Sequence, residues 1–176
     1  MKTAKKLQSR YPSLIVYIPS CRKAFDEKFR KGLEKYEIKG KVISQQDYSE
    51  FMPHIYSLTK LALCKSGTVN MELALYGIPQ IIGYRVSRVT AFIAKKILNF
   101  KVRFISPVNL LVKKLIIPEF VQKNFNEKKI FYKACRLLDL TSEKAKIKKG
   151  YNLLKNELGE AGVVDRAAKE IINSII

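Results

Sequence analysis

The chain has 176 residues, and 47% of them are hydrophobic, so it can bury the core of one domain and is not intrinsically disordered. Lysine and arginine number 34 against 15 aspartates and glutamates, which gives a formal net charge of +19. Such a surface attracts nucleic acids, anionic lipid head groups or phosphorylated substrates, and charge alone does not choose among them. A genomic bias towards lysine explains the charge equally well.

Metal sites, disulfides and membrane-spanning helices are not expected. Cys21, Cys64 and Cys135 are widely spaced, so we expect three buried thiols in a reducing compartment. A lone histidine, His54, cannot build a histidine-rich metal site, and no segment reaches the ~18 apolar residues of a transmembrane helix. The N-terminus lacks the apolar core of a signal peptide. The sequence therefore predicts a protein that is cytosolic or peripheral on a membrane.

Strands and helices alternate at short intervals over the first 85 residues. Apolar runs predict strands at 14–18, 41–44, 61–64 and 80–84. Apolar residues at helical spacing predict helices at 2–10, 23–36, 48–57 and 67–76. The residues predicted to face inward on the second and third helices are Phe25, Phe29, Leu33, Tyr36, Phe51, Ile55 and Leu58. This alternation indicates a Rossmann-like parallel sheet with flanking helices.

The chain opens on a helix, which is unusual for this architecture. A doubly wound sheet normally opens on a strand, and the turn after that strand carries a glycine loop that binds phosphate. We therefore expect a sheet without its first strand, and the edge left bare by that loss would be prone to aggregation.

The pattern changes after Ser87. Thr90–Phe100 is predicted to be an apolar helix with a basic fringe. The residues predicted to face a membrane are Phe92, Ile93, Lys95 and Lys96. Apolar side chains bordered by lysines suit an anionic lipid surface, but a core or dimer helix with solvated ends explains the pattern equally well.

The C-terminal part is predicted to be mostly helical. Residues 102–106 are strand-like, and helices are predicted at 130–140, 142–158 and 165–175. In the last helix, the residues predicted to face inward are Ala167, Ala168, Ile171 and Ile172. We expect residues 1–140 to form the Rossmann-like domain and residues 141–176 to be helices that pack back on it.

A Ser66-Gly67-Thr68 turn joins a predicted strand to a predicted helix. Amides at a helix N-terminus favour an anion such as a diphosphate, and Gly67 lets a ligand approach the backbone. Glu72 follows one turn later, where its carboxylate can accept hydrogen bonds from a ribose diol. Helix capping explains Ser66 and Thr68 equally well, and an acidic residue is favourable near any helix N-terminus.

Four stretches together resemble the C-terminal half of the lipid-A-disaccharide synthases, inverting glycosyltransferases of the GT-B type. They are Ser66–Glu72 with Gly77-Ile78-Pro79, Gly83-Tyr84-Arg85 with Thr90–Leu98, Ile105–Gln122, and Leu158–Ala168. Their order and spacing fit over essentially the whole chain. The third stretch is the most specific, whereas the first also fits related glycosyltransferases.

The resemblance implies a reaction and a set of site residues. The family transfers 2,3-diacylglucosamine from its UDP derivative to 2,3-diacylglucosamine 1-phosphate (lipid X), and no metal ion or other cofactor is expected. Ser66, Gly67 and Thr68 would face the diphosphate of the donor, and Glu72 its ribose. The residues that would line the donor site or lie close to it are Ser106, Asn109, Glu119 and Gln122. The implied location is cytoplasmic, peripheral on the inner face of the inner membrane.

Some features of the family have no counterpart in this sequence. The resemblance leaves out the N-terminal domain, which holds the expected catalytic base, and the Gly-Ser-Arg loop after the first strand of the donor domain. Lys113 replaces a small residue often found in the family. We therefore expect this chain to work only with a missing N-terminal half, and a homo-oligomer is a further partner hypothesis.

Two alternatives differ from the transferase hypothesis. The first is a basic, non-catalytic module that binds anionic membrane or nucleic acid on a degenerate Rossmann-like fold. Lysine-rich charge without clustered aromatic residues argues against single-stranded nucleic acid, and no nucleic-acid-binding motif is present, so no nucleic-acid partner is expected. The second is another GT-B enzyme with a lipid-linked acceptor, against which the stretch from Ser106 to Gln122 argues.

Overall fold

The computed structural model describes residues 1–87, 103–160 and 162–174. Strands and helices alternate in its first half, and helices dominate its second half. In chain order the elements are α1 (Lys2–Arg10), β1 (Val16–Pro19), α2 (Lys23–Lys35), β2 (Gly40–Ile43), α3 (Tyr48–Leu58), β3 (Ala62–Cys64), α4 (Val69–Leu75), β4 (Gln80–Tyr84), α5 (Pro107–Val112), β5 (Glu119–Val121), a 3-10 turn (Gln122–Asn124), α6 (Glu127–Asp139), α7 (Thr141–Leu158) and α8 (Val163–Asn173). The elements predicted up to residue 85 are confirmed, and each of their ends agrees with the prediction to within two residues.

All strand pairs are parallel, and the fold class predicted from the sequence is confirmed. Strands β1 and β2 form one sheet, and β3, β4 and β5 form a second sheet in that order. Val16 is level with Gly40 in the first sheet. In the second sheet Cys64 is level with Ile82, and Ile82 with Glu119.

Helices cover both faces of the sheet formed by β1 and β2. Val16 and Ile18 pack against a buried cluster that includes Leu33 of α2. Lys41 of β2 points the other way, and its ammonium lies 5.5 Å from the centre of the Phe51 ring of α3. The helices α2 and α3 therefore lie on opposite faces, as in a doubly wound fold.

The largest core cluster lies between the second sheet and the C-terminal helices. Ile81 and Ile82 of β4 are buried together with Leu137 of α6 and with Tyr151 and Leu154 of α7. Full burial of an isoleucine or leucine side chain contributes about 1.5–3 kcal/mol, so this cluster is a major source of stability. Helix α7 thus packs back on the sheet.

Three local predictions from the sequence are wrong. In α3 the buried residues are Met52, Ile55 and Tyr56, which form one helical stripe, whereas Phe51 and Leu58 lie outside it and are exposed. In α2, Phe25 is exposed although it was predicted to face inward, whereas Leu33 is buried as predicted. Three buried thiols were expected, but Cys21 is exposed and Cys64 is half-buried, and Cys135 is the buried one.

The predicted inward face of the last helix is also wrong. Residues 162–174 are exposed throughout, including Ala167, Ala168, Ile171 and Ile172. Helix α8 follows a break at Gly159 and Gly162, both of which adopt a positive φ. Its apolar residues therefore contribute no core burial within the described residues.

The predicted strand at 102–106 is not found in its described part. Residues 103–106 are irregular and lead into α5. The backbone N–H groups of Ile105 and Ser106 donate to the carboxylate of Glu119, at 2.8 and 2.9 Å. The Glu119 side chain thus accepts the backbone hydrogen bonds that a neighbouring strand would otherwise accept. Within the described ranges, no helix is both long enough and apolar enough to cross a membrane.

A charged cluster joins α6 to α7. The buried carboxylate of Glu143 accepts hydrogen bonds from Lys133 at 2.6 Å and from Arg136 at 2.9 Å, and Lys146 lies at 3.7 Å. These partners, with the Lys133 hydrogen bond the strongest influence, lower the pKa of Glu143 from 4.5 to about 2. The ionised carboxylate therefore stabilises the folded state.

Replacement of this carboxylate should destabilise the protein in a pH-dependent way. Glu143→Gln is expected to lower the free energy of unfolding by about 1–3 kcal/mol at pH 7, because charged hydrogen bonds are lost. The difference from the wild type is full above pH ~4.5 and disappears as the pH falls through about 2. Urea unfolding at several pH values measures it. Glu27→Gln, which removes an exposed pair with Lys31, is the control and should have little effect.

Candidate functional site

The segments that follow the parallel strands of the second sheet meet at one edge. Cys64, Ile82 and Glu119 lie on the same level of β3, β4 and β5. The strands then continue in the same direction to the Ser66 turn, to Arg85 and to Gln122. In α/β sheets, ligands bind outside the carboxyl ends of the strands.

The Ser66-Gly67-Thr68 turn is held by the fully buried side chain of Asn70. The Gly67 N–H donates to Asn70 Oδ1 at 2.9 Å, and Asn70 Nδ2 donates to the carbonyl of Lys65 at 3.1 Å. One side chain therefore spans the turn from Lys65 to Gly67. A β-carbon at Gly67 would meet no atom within 4 Å, which leaves this part of the backbone open to a ligand.

Behind the turn, Asn70 belongs to a buried polar network that links α4 to α7. Asn70 Nδ2 also donates to Gln80 Oε1 at 3.1 Å, and Gln80 Nε2 donates to the Tyr151 hydroxyl at 3.1 Å. The Tyr151 hydroxyl in turn donates to the carbonyl of Ile78 at 2.8 Å. Burial raises the pKa of Tyr151, so the phenol stays protonated and can keep donating this bond.

A second network fixes the segment from Ile105 to Glu119. Asn109 Oδ1 accepts from the backbone N–H groups of Ile116 and Ile117, at 2.8 and 3.0 Å. Asn109 Nδ2 donates to the Ile117 carbonyl and to Glu119 Oε1, both at 2.8 Å. All four hydrogen bonds that an asparagine side chain can make are thus used within the protein.

A hydrogen bond joins the Ser66–Glu72 stretch to the Ile105–Gln122 stretch. The Ser66 hydroxyl donates to the backbone carbonyl of Ile105, across 39 positions of sequence. Ser106 caps the N-terminus of α5, since its hydroxyl accepts from the Asn109 N–H at 3.2 Å. The turn after β3 and the start of α5 are therefore neighbours at the carboxyl edge.

Glu72 faces α3 rather than this cluster. The Tyr48 hydroxyl donates to Glu72 Oε2 at 3.5 Å, and the Tyr48 and Tyr56 hydroxyls lie 2.9 Å apart. Burial, the hydrogen bond to Tyr48 and the nearby carboxylate raise the pKa of Tyr56, so its phenol remains neutral. Glu72 is half-buried on the first turn of α4.

The Gly83-Tyr84-Arg85 stretch packs against the turn after β5. A β-carbon at Gly83 would lie 2.4 Å from the Phe125 ring, so a larger residue would displace that ring. The Arg85 guanidinium lies 5.1 Å from the centre of the same ring and donates to the Phe125 carbonyl at 2.7 Å. These contacts fix the ends of β4 and β5 relative to each other.

The predicted site residues have different environments. Ser66, Gly67, Glu72, Glu119 and Gln122 are half-buried, whereas Ser106 and Asn109 are fully buried. Thr68 is exposed at the start of α4. Donor contact by these residues stays a prediction, and the predicted membrane-facing residues Phe92, Ile93, Lys95 and Lys96 lie outside the described residues.

Two residues of this edge have unusual backbone conformations. Gln122 adopts a φ of 50° directly after β5, and Lys113 adopts a φ of 55° at the C-terminus of α5. Both angles are in the left-handed region, which is strained for residues with a β-carbon. The Lys113 conformation explains why a small residue suits this position: glycine carries no steric penalty there.

Two surface depressions on the described part of the chain lie away from this edge. One of about 230 Å³ lies between α1 and α6, beside Arg10, Cys135 and Asp139. The other, of about 440 Å³, is lined by Lys60, Lys144 and other residues near the start of α7. Among the described residues, no three His, Cys, Asp or Glu side chains are grouped so that they could hold a metal ion.

Comparison with known proteins agrees with the sequence pattern. The family model described as lipid-A-disaccharide synthetase matches residues 1–175. The chain belongs to this family. The transferase hypothesis is thereby supported at the family level, and the binding-module alternative receives no support.

Curated relatives confirm this assignment and show how much of the family protein is represented. The lipid-A-disaccharide synthase of Prochlorococcus marinus (strain MIT 9313) is 44% identical over 172 residues, which is 98% of this chain and 44% of the relative. That of Gloeothece citriformis (strain PCC 7424) is 33% identical over 99% of this chain and 44% of its own length. The synthase of Synechocystis sp. (strain PCC 6803) is 34% identical over 96% and 42%, respectively. The chain thus spans less than half the length of these relatives.

The Asn109 network should be structural, which predicts a large effect on stability without any ligand. Asn109→Ala leaves the buried N–H groups of Ile116 and Ile117 without their acceptor, and is expected to lower the free energy of unfolding by about 3 kcal/mol or more. Urea unfolding of the purified chain measures the loss. The control is Asn124→Ala, which removes one exposed hydrogen bond with Lys129. Equal stability of the two variants would contradict the network.

Proposed function

We propose that this chain supplies the donor-binding half of a lipid-A-disaccharide synthase. The reaction transfers 2,3-diacylglucosamine from its UDP derivative to lipid X and releases UDP. The observation that carries the proposal is the convergence of Ser66 with Ile105 at the carboxyl edge. Two stretches that resemble the family, and are far apart in sequence, thereby form one wall in the place where α/β sheets bind ligands.

In this proposal the Ser66-Gly67-Thr68 turn contacts the diphosphate of the donor. Negative charge develops on UDP as it leaves, and hydrogen-bond donors fixed in place stabilise such charge in the transition state. Because the Ser66 hydroxyl and the Gly67 N–H donate within the protein, the exposed Thr68 is the proposed donor of the turn. The Asn70 side chain bonds to both sides of the turn and holds it without contact to the donor. Glu72, which is half-buried, accepts hydrogen bonds from the ribose hydroxyls through its carboxylate.

The second stretch completes the wall. Ser106 and Asn109 shape the site from behind, since their buried side chains fix the backbone between Ile105 and Glu119. Gln122 follows β5 at the same edge, and its left-handed backbone orients the chain after the strand. No metal ion takes part in the proposed reaction, as the family resemblance implies.

The proposed location is the inner face of the inner membrane, where the chain is peripheral. The high positive charge supports contact with anionic head groups. Phe92 and Ile93 would contact the acyl region, and Lys95 and Lys96 the head groups. The acyl chains of both substrates would then reach the enzyme from the membrane surface.

The isolated chain is expected to have no transferase activity, because the resemblance implies a catalytic base in an N-terminal domain outside the matched region. The measurement is an assay of the purified 176-residue chain with UDP-2,3-diacylglucosamine and lipid X. Addition of the part of the Prochlorococcus marinus synthase outside the matched region, expressed separately, provides the positive arm. Turnover by the chain alone would contradict the proposal that this chain binds the donor while the complementary part supplies the catalytic base.

Glu72 distinguishes the transferase proposal from a general polyanion-binding module. Glu72→Ala should weaken UDP binding at least about tenfold, which corresponds to the loss of about 1.4 kcal/mol in hydrogen bonding to the ribose. Binding to anionic vesicles should be unchanged. The matched control is Glu50→Ala, an exposed glutamate on the first turn of α3.

UDP binding is measured by calorimetry with the complementary part of the synthase present. Equal UDP affinity of the two variants would remove Glu72 from the site. If the wild-type chain binds RNA or vesicles but binds no UDP even with the complementary part, the donor-binding proposal is wrong.

A further inference from the structure

The Ser66-Gly67-Thr68 turn by itself offers little to a negatively charged ligand. The Ser66 hydroxyl donates to the Ile105 carbonyl, and the Gly67 N–H donates to Asn70 at 2.9 Å, so both donors are already used. Thr68 is exposed, but its side chain carries no charge. Each phosphate group of a nucleoside diphosphate is negatively charged, and charged hydrogen bonds from cationic side chains are the strong ones for such anions. A cation beside this turn would therefore supply what the turn lacks.

Lys65 directly precedes the turn, and its backbone is fixed although its side chain is exposed. The Lys65 carbonyl accepts a hydrogen bond from Asn70 Nδ2 at 3.1 Å, and Asn70 is fully buried. Lys65 follows Cys64, the last residue of β3. The exposed side chain thus extends from a fixed point at the carboxyl end of this strand.

The Lys65 ammonium reaches the end of the neighbouring strand β4. Its Nζ atom lies 5.6 Å from the centre of the Tyr84 ring. Tyr84 is the last residue of β4 and is level with Val121, the last residue of β5. The ammonium therefore lies at the carboxyl ends of the strands, where α/β sheets bind ligands.

No acidic group pairs with this ammonium within residues 1–87, 103–160 and 162–174, since none of the ion pairs there includes Lys65. Two carboxylates near the edge have other partners: Glu119 accepts from backbone N–H groups, and Glu72 accepts from Tyr48. The contact with the Tyr84 ring is a cation–π interaction, which is weak at an exposed site. A phosphate oxygen, which accepts a charged hydrogen bond, can displace it.

Arg85, the cation that directly follows β4, is less available than Lys65. Its guanidinium donates to the Phe125 carbonyl at 2.7 Å and lies 5.1 Å from the centre of the Phe125 ring. Displacement of Arg85 would break a hydrogen bond from a charged group, whereas displacement of Lys65 breaks only the contact with the Tyr84 ring. Lys65 is thus the cation that can turn more readily to a ligand.

We propose that Lys65 is a donor-binding residue whose ammonium binds the diphosphate of the nucleotide. On binding, Nζ leaves the Tyr84 ring and donates hydrogen bonds to phosphate oxygens, while Asn70 keeps the Lys65 backbone in place. The lysine thereby supplies the positive charge that the adjacent turn lacks. The inference rests on the proposed function and deepens it, since it names the cation that recognises the diphosphate.

Substitution of Lys65 tests the contact. Lys65→Gln should weaken UDP binding at least about tenfold, because a charged hydrogen bond to phosphate is lost. Lys65→Arg keeps the charge and should bind UDP within about threefold of the wild type. The matched control is Lys60→Gln, which removes the same charge from an exposed lysine near the opposite end of β3 and should change the affinity less than about twofold. Calorimetry with the complementary part of the synthase present measures all four proteins.

Acetylation of lysines, followed by mass spectrometry, tests the contact in the unaltered chain. The complex of the chain with the complementary part is treated with acetic anhydride with and without UDP. At a UDP concentration about ten times its dissociation constant, about a tenth of the sites remain free, so the acetylation rate of Lys65 should fall about tenfold. The rate at Lys60 should not change. This measurement decides the matter even if Lys65→Gln does not fold.

Three results would overturn the role of Lys65. The first is equal UDP affinity of Lys65→Gln and the wild type. The second is a loss of affinity that Lys65→Arg or Lys60→Gln shares in full, and the third is acetylation of Lys65 that UDP does not slow. In each case the wild-type chain binds UDP, so the donor-binding proposal itself still holds. Absence of UDP binding by the wild type would overturn both proposals.

Discussion

The carboxyl edge depends on the requirement that a buried amide make all its hydrogen bonds. The Asn109 side chain makes its hydrogen bonds with Ile116, Ile117 and Glu119. The Glu119 carboxylate in turn accepts hydrogen bonds from the N–H groups of Ile105 and Ser106. The buried N–H groups of an irregular segment are thereby paired, as they would be in a strand. Because the Ser66 hydroxyl bonds to Ile105, the turn after β3 takes its position from the same network. Residues that resemble ligand contacts in the sequence thus first serve as structure.

Local patterns were sufficient to predict the elements up to β4, because apolar periodicity there matches the burial that the fold imposes. The pattern failed at residues 103–106, since apolar side chains suggested a strand while Glu119, far along the chain, satisfied the backbone. The same limit applies to Gln80 and Tyr151, which meet across 71 positions. Asn70 could have been recognised, because an asparagine three residues after Gly67 is a typical partner for a free N–H at a helix start.

Two groups of hydrogen-bonded elements flank the Ser66 turn. On one side, α3 and α4 are joined through Tyr48 and Glu72, which are 24 positions apart in the sequence. On the other side, the start of α5 and strand β5 are joined by Asn109 and Glu119. The Ser66 turn lies beside the second group, since its hydroxyl donates to the carbonyl of Ile105.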